Sequence, residues 1–191
     1  MRAMAGWLLG KPDGNGAKMG SQNTIYQTIG RRRCVLASLP LLFLLVSCAG
    51  PERFDHPFAA GHTSSDIESC VPYARRVSGI MLYGDANSWW EGARERYRRG
   101  RKPSVGAVLV LKRTSRMRSG HVAVVKDILG PRQINVTHSN WGNNDSSRHI
   151  VYESMLAEDV SPGNDWSHIR FWNDAQGVMG FPYAAYGFIY P

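Results

Sequence analysis

Four side chains in this sequence have the types and spacing needed to attack an amide: Cys70, then His121, then His138 and Asn140. A thiolate can add to a carbonyl carbon, an imidazole can take and return the proton, and a third polar group can hold that imidazole in orientation. Cys70 stands in "ESCVPYARRVSGI" (68–80), where three readings are open: a nucleophile, a small buried filler, or half of a disulfide with Cys48.

The three cysteines differ in context. Cys34 lies in "RRRCVLASLPLLFLLVSCAG" (31–50), where three arginines precede an apolar run and small residues follow, the layout of a secretory signal. That run is too short to span a bilayer, which takes about 20 apolar residues. Leu45-Val46-Ser47-Cys48 resembles a bacterial lipobox, whose cysteine is acylated and becomes the new N-terminus. On this reading residues 1–47 are a signal, with Met19 a candidate start, 48–66 a lipidated tether, and 67–191 one domain. Cys70 is then the free thiol of an exported protein, which calls for an explanation.

The elements that position these groups follow from local pattern. Ser69 or Glu68 can cap a helix that carries Cys70 at its start, with Pro72 tolerated in the first turn and Tyr73, Ala74, Val77, Ile80 and Met81 as an apolar stripe. Unpaired N–H groups and the positive dipole end there favour a thiolate and can hold an oxyanion. "NSWWEGARERYRRG" (87–100) reads as a second helix opened by a Ser88–Glu91 capping box. Trp89 and Trp90 read as core or cleft wall.

Short β-branched runs follow at 104–113, 120–128 and 132–141, the spacing of an antiparallel meander, and the first two are apolar on both faces. Two helices and then a sheet predict an α+β fold. His121 opens the second strand and shares its face with Ala123 and Val125. On the third strand Ile134, Val136, His138 and Asn140 share a parity, so His138 or Asn140 can orient His121, and Trp141 can shield that bond from water. "WSHIRFW" and "YGFIYP" read as two further strands, and Asp145, Asp159 and Asp165 as loop or cap residues able in principle to supply a carboxylate.

Charge adds little to function. The full chain carries a net charge of +8, but removing residues 1–47 leaves 17 basic against 14 acidic residues. Ten basic residues between Arg94 and Arg118 can attract an anionic partner or form a solvated face. Nucleic acid is discounted as a partner for an exported protein. No phosphate-binding glycine loop and no metal-ligand spacing of histidines appears, so neither cofactor nor metal is expected.

The order "CVPYARRVSGI", "GDANSWW", "PSVGAVLVL", "GHVAVVKDI", "INVTHSNWG" resembles the CHAP domain, the cysteine, histidine-dependent amidohydrolase/peptidase family of the papain-like superfamily, related to NlpC/P60. The resemblance implies a papain-like α+β fold with N-terminal helices packed on an antiparallel sheet. It implies Cys70 as nucleophile, His121 as base and Asn140 as the third member, with His138 second because it stands where many members have glutamate. Tyr73 at the oxyanion and Trp90 and Trp141 at the substrate are the accompanying assignments. The implied activity is cleavage of peptidoglycan amide bonds, as amidase or endopeptidase. Its alternative is a non-catalytic lipoprotein that binds peptidoglycan in an inherited cleft. The expected setting is a monomer, lipid-anchored through Cys48 in the bacterial envelope, facing the periplasm and suited to outer-membrane sorting.

Overall fold

The structure is a computed structural model that describes residues 50–191. Cys34, Cys48, Met19 and the signal reading of residues 1–47 lie outside the described residues. The chain starts with a hairpin of β1 (Arg53–His56) and β2 (Ala59–Thr63), then helix α1 (Cys70–Ser78), a 3-10 turn (Ala86–Ser88) and helix α2 (Trp89–Gly92). Strands β3 (Arg98–Gly100), β4 (Val108–Leu111), β5 (His121–Gly130) and β6 (Gln133–Ser139) follow, then the short helix α3 (Asp145–Arg148). The chain continues through β7 (Ile150–Asp159), β8 (His168–Asn173), β9 (Val178–Met179) and β10 (Tyr183–Tyr190).

The expected meander is present, since β4 pairs with β5, β5 with β6 and β6 with β7, all antiparallel. The fold class is not the expected one. β7 also pairs with β8, and β10 pairs with both β8 and β4. β4, β5, β6, β7, β8 and β10 therefore close into a six-stranded antiparallel barrel, and strand accounts for 42% of the described residues against 14% for helix. This mostly-β barrel replaces the α+β, papain-like arrangement of N-terminal helices on a sheet. Closure removes the sheet edges that an open meander would leave unpaired.

Two helical expectations shrink for local reasons. α1 stops at Ser78 because Gly79 adopts φ 74°, a left-handed cap whose N–H bonds the Arg75 carbonyl. Val77 and Met81 are consequently exposed, while Tyr73, Ala74 and Ile80 are buried. The second helix covers only Trp89–Gly92, and its expected end, Arg98–Gly100, is a strand paired with Tyr190–Phe188 of β10. Ser88 caps nothing with its side chain; its hydroxyl donates to the Asp85 carbonyl. Residues 53–63, read as tether, are the β1–β2 hairpin, whose second strand pairs with β7.

The core divides in two by strand parity. Leu109 and Leu111 of β4, Ala123 and Val125 of β5, Ile134 and Val136 of β6, and Phe171 and Phe188 fill the barrel. Val108, Val110, Val122 and Val124 face the other way, against Cys70, Ala74, Ile80, Leu82 and Trp89. β4 and the first half of β5, residues 121–125, are buried on both faces, which is why they read as continuous apolar runs. Each fully buried aliphatic side chain contributes roughly 1.5–3 kcal/mol over its exposed state.

Candidate active site

Cys70 is the first residue of α1, with Ser69 in extended backbone as the N-cap. The Ser69 side chain does not cap the helix. The Ser69 hydroxyl and the backbone groups of Cys70, Val71 and Val122 each favour the anionic form of the Cys70 sulfur. Cys70 packs with Val122, the residue after His121 in β5, and among the described residues no hydrogen bond joins the thiol to the His121 ring.

Two further contacts moor this helix to β6. The Ser139 hydroxyl donates to the Glu68 carbonyl at 2.7 Å. Tyr73 bonds the Thr137 hydroxyl, which itself donates to the Tyr152 carbonyl at 2.8 Å. A hydroxyl has one hydrogen, so Tyr73 is the donor to Thr137. Its phenol is thus engaged between α1 and β6.

Gly120 sets the entry of β5. It has φ 71°, and a Cβ there would lie 2.9 Å from the Asn87 backbone nitrogen and from the Leu111 carbonyl oxygen. The close approach at this glycine is to the 3-10 turn and β4. The next residue, His121, directs its ring to the barrel side of the strand, where Nε2 lies 2.9 Å from Nδ1 of His138. The His138 Nε2 in turn lies 3.2 Å from the Met155 sulfur.

Hydrogen-bond chemistry assigns the protons along this line. A thioether sulfur accepts but never donates, so the N–H faces Met155 from His138 Nε2. A neutral His138 then presents a bare Nδ1, which accepts from the Nε2–H of His121. A neutral His121 keeps its lone pair on Nδ1, since its hydrogen bond to His138 uses Nε2. That nitrogen is the one free to act as a base.

Both imidazoles are neutral because burial disfavours the cation. Burial lowers His121 from its ordinary 6.5 to about 3. His138 falls well below 6.5, through burial first and the neighbouring His121 second. Burial also raises the Cys70 thiol above 9.0, outweighing the opposing backbone N–H groups and the Ser69 hydroxyl. The anionic resting sulfur expected from the helix end is therefore corrected: desolvation exceeds the helix-terminal stabilisation, and the resting pair is thiol and imidazole.

Aromatic rings enclose the histidines. The Trp141 ring centroid is 4.7 Å from that of His121 and 5.6 Å from that of His138. Phe171 and Tyr152 flank His138. Asn140 has φ 54° and no hydrogen bond to His121. In the left-handed region, which asparagine tolerates, it ends the strand and breaks the parity that aligned it with His138. Asn140 turns the chain; His138 holds the imidazole.

Trp90 stands apart from this group. It stacks on Tyr186 with 5.9 Å between centroids, under the Arg99 guanidinium, while Lys112 sits over Tyr186. Arg99 and Lys112, two of the ten basic residues between Arg94 and Arg118, thus meet around one stack. Asp159 is buried and accepts from Ser161, Asp145 opens α3, and Asp165 accepts from Ser167, so none bonds a histidine of the pair. Met155 and Ser139 went unread in the sequence, and Ser69 was read only as a helix cap. Met155 sits in the unforeseen strand β7, and hydroxyls in "ES" and "THS" carry no distinguishing signal.

Residues 60–140 match the family model of the CHAP domain. The matched span contains Cys70, Tyr73, Trp90, His121, His138 and Asn140; Met155 and Trp141 lie beyond it. No curated protein matches the chain.

Proposed function

We propose that this chain is a cysteine hydrolase of the CHAP type that cleaves amide bonds of peptidoglycan. The observation that carries the reading is the line Met155–His138–His121, which leaves a bare Nδ1 on the histidine that precedes Val122, a residue packed in one cluster with Cys70. The match of residues 60–140 to the CHAP domain supports the substrate class.

In the proposed reaction His121 Nδ1 takes the thiol proton as the Cys70 sulfur adds to the amide carbon. The tetrahedral oxyanion is stabilised by N–H groups at the start of α1. His121 gives its proton to the departing nitrogen, the C–N bond breaks, and a thioester remains. Water, deprotonated by His121, then releases the acid and restores the thiol. Charge separates only during attack, because the buried resting groups are neutral. His138 accepts from the imidazole throughout, and Trp141 keeps water from that bond.

Export, acylation of Cys48 and action as a monomer at the bacterial envelope belong to the same proposal, supported by the lipobox-like Leu45–Cys48. Incorporation of a fatty-acid probe that is lost in Cys48→Ser tests the anchor. A second reading, a peptidoglycan binder without catalysis, is favoured by one observation: the Cys70 thiol is buried and raised. Digestion of purified peptidoglycan, with fragments identified by mass spectrometry, separates the two. The hydrolase releases new amine and carboxyl ends, and Cys70→Ser releases at least about 10³-fold fewer. Equal release by both proteins rejects the cysteine mechanism, and pelleting with the wall without any release favours the binder.

A further inference from the structure

We propose that Met155 is a positioning residue that selects which of two proton arrangements the histidine pair adopts, and so keeps His121 Nδ1 bare. The inference rests on the reading of His121 as the base. It concerns β7, a strand beyond the matched span, and a side chain that touches neither substrate nor sulfur.

Two neutral imidazoles joined Nε2 to Nδ1 have two arrangements of equal proton count. In one, both rings carry their hydrogen on Nε2: His121 donates to His138, and His138 points its N–H onward. In the other, both carry it on Nδ1: His138 donates to His121, and His121 presents an N–H where the base needs a lone pair. Passing between them moves one proton on each ring and consumes nothing.

The group at the far end of the line decides between them. Met155 Sδ lies 3.2 Å from His138 Nε2. An N–H facing that sulfur is a weak but favourable bond. A bare nitrogen facing it sets two lone pairs against each other at less than ordinary contact. Both residues are buried, Met155 at 1% exposure and His138 at 0%, so water does not substitute for either group. Around His138 the other close rings, Tyr152, Phe171 and Trp141, present faces or edges at 5.3–5.7 Å between centroids. The sulfur is thus the acceptor that breaks the symmetry of the pair.

The test reads the protons directly. Nitrogen-15 NMR of the histidine rings separates protonated from bare nitrogens, whether or not the protein cleaves anything. The expected wild-type result is Nε2–H on both His121 and His138. Met155→Leu, close in volume and without an acceptor, is expected to move a measurable fraction of both rings to Nδ1–H and, where activity is present, to lower kcat about ten-fold with KM unchanged. A wild-type His138 protonated on Nδ1 overturns the inference without any variant. Unchanged ring protonation in a folded Met155→Leu overturns it as well. Should that variant not fold, Met155→Ile is read by the same criterion. Loss of cleavage in the wild type with the expected protons in place would instead count against the hydrolase reading and leave this one standing.

Discussion

His121 Nε2 and His138 Nδ1 are 2.9 Å apart, and the ring centroids are 5.1 Å apart at 74°. This edge-on meeting directs an N–H of one ring at the lone pair of the other, inside an aromatic enclosure. Because His138 carries no fixed negative charge, its contribution is orientation and acceptance of one hydrogen bond rather than Coulomb stabilisation.

Replacement of the orienting group separates His138 from Asn140. His138→Gln is expected to lower kcat about 10²-fold with little change in KM, since the imidazole loses its defined tautomer and angle. Asn140→Gly, which suits φ 54°, should leave kcat within about two-fold. Steady-state kinetics on a defined wall fragment reads both, and the reverse ranking would return the orienting role to Asn140.

Stability should depend on pH on both sides of a plateau. His121 binds its proton at 6.5 when unfolded and at about 3 when folded, so between those values the unfolded state holds more protons. Stability therefore rises with pH through that window and is lost as pH falls through it, with His138 acting in the same direction. The folded Cys70 keeps its proton above 9.0 while the unfolded thiol ionises, so stability declines again on that side. Thermal melts from pH 3 to 10 should show the plateau between about 6.5 and 9; an unfolding temperature that holds steady down to pH 4 contradicts the neutral buried pair.

Tyr73→Phe removes the donor to Thr137, whose own hydrogen still reaches the Tyr152 carbonyl. The expected cost is about 0.5–1.5 kcal/mol by denaturant unfolding, with kcat nearly unchanged. A large fall in kcat at intact stability would place the phenol at the oxyanion after all.

Gly120→Ala combines a left-handed φ of 71° with a Cβ 2.9 Å from backbone atoms of Asn87 and Leu111. The neighbours are main chain and cannot swing aside, so a loss of at least about 2 kcal/mol is expected. A variant melting within a degree or two of wild type would mean the turn before His121 is free to shift.

Short-range pattern carried the start of α1 and the three meander strands, because each depends on periodicity or capping within a few residues. Barrel closure did not show, since it depends on β7 meeting β8 and on β10 filling the space between β8 and β4, pairings between segments far apart in sequence. "ARERYRRG" has good helix formers, yet Arg98–Gly100 pairs with β10, where tertiary pairing outweighs propensity. His138 and Asn140 looked equivalent by alternation, and a single backbone angle at Asn140 separated them. The state of the sulfur was missed because helix termini are visible in sequence, whereas the desolvation that opposes them is not.

The placement of β10 bears on how the chain folds as it is made. Its partners β4 and β8 are both translated earlier, so a nascent polypeptide emerging from the ribosome keeps the Val108–Leu111 rim unzipped until Tyr183–Tyr190 arrives. Long-range strand pairing of this kind is slow to form. Until that last segment docks, the rim is an unpaired sheet edge, a surface able to pair with the strands of other chains.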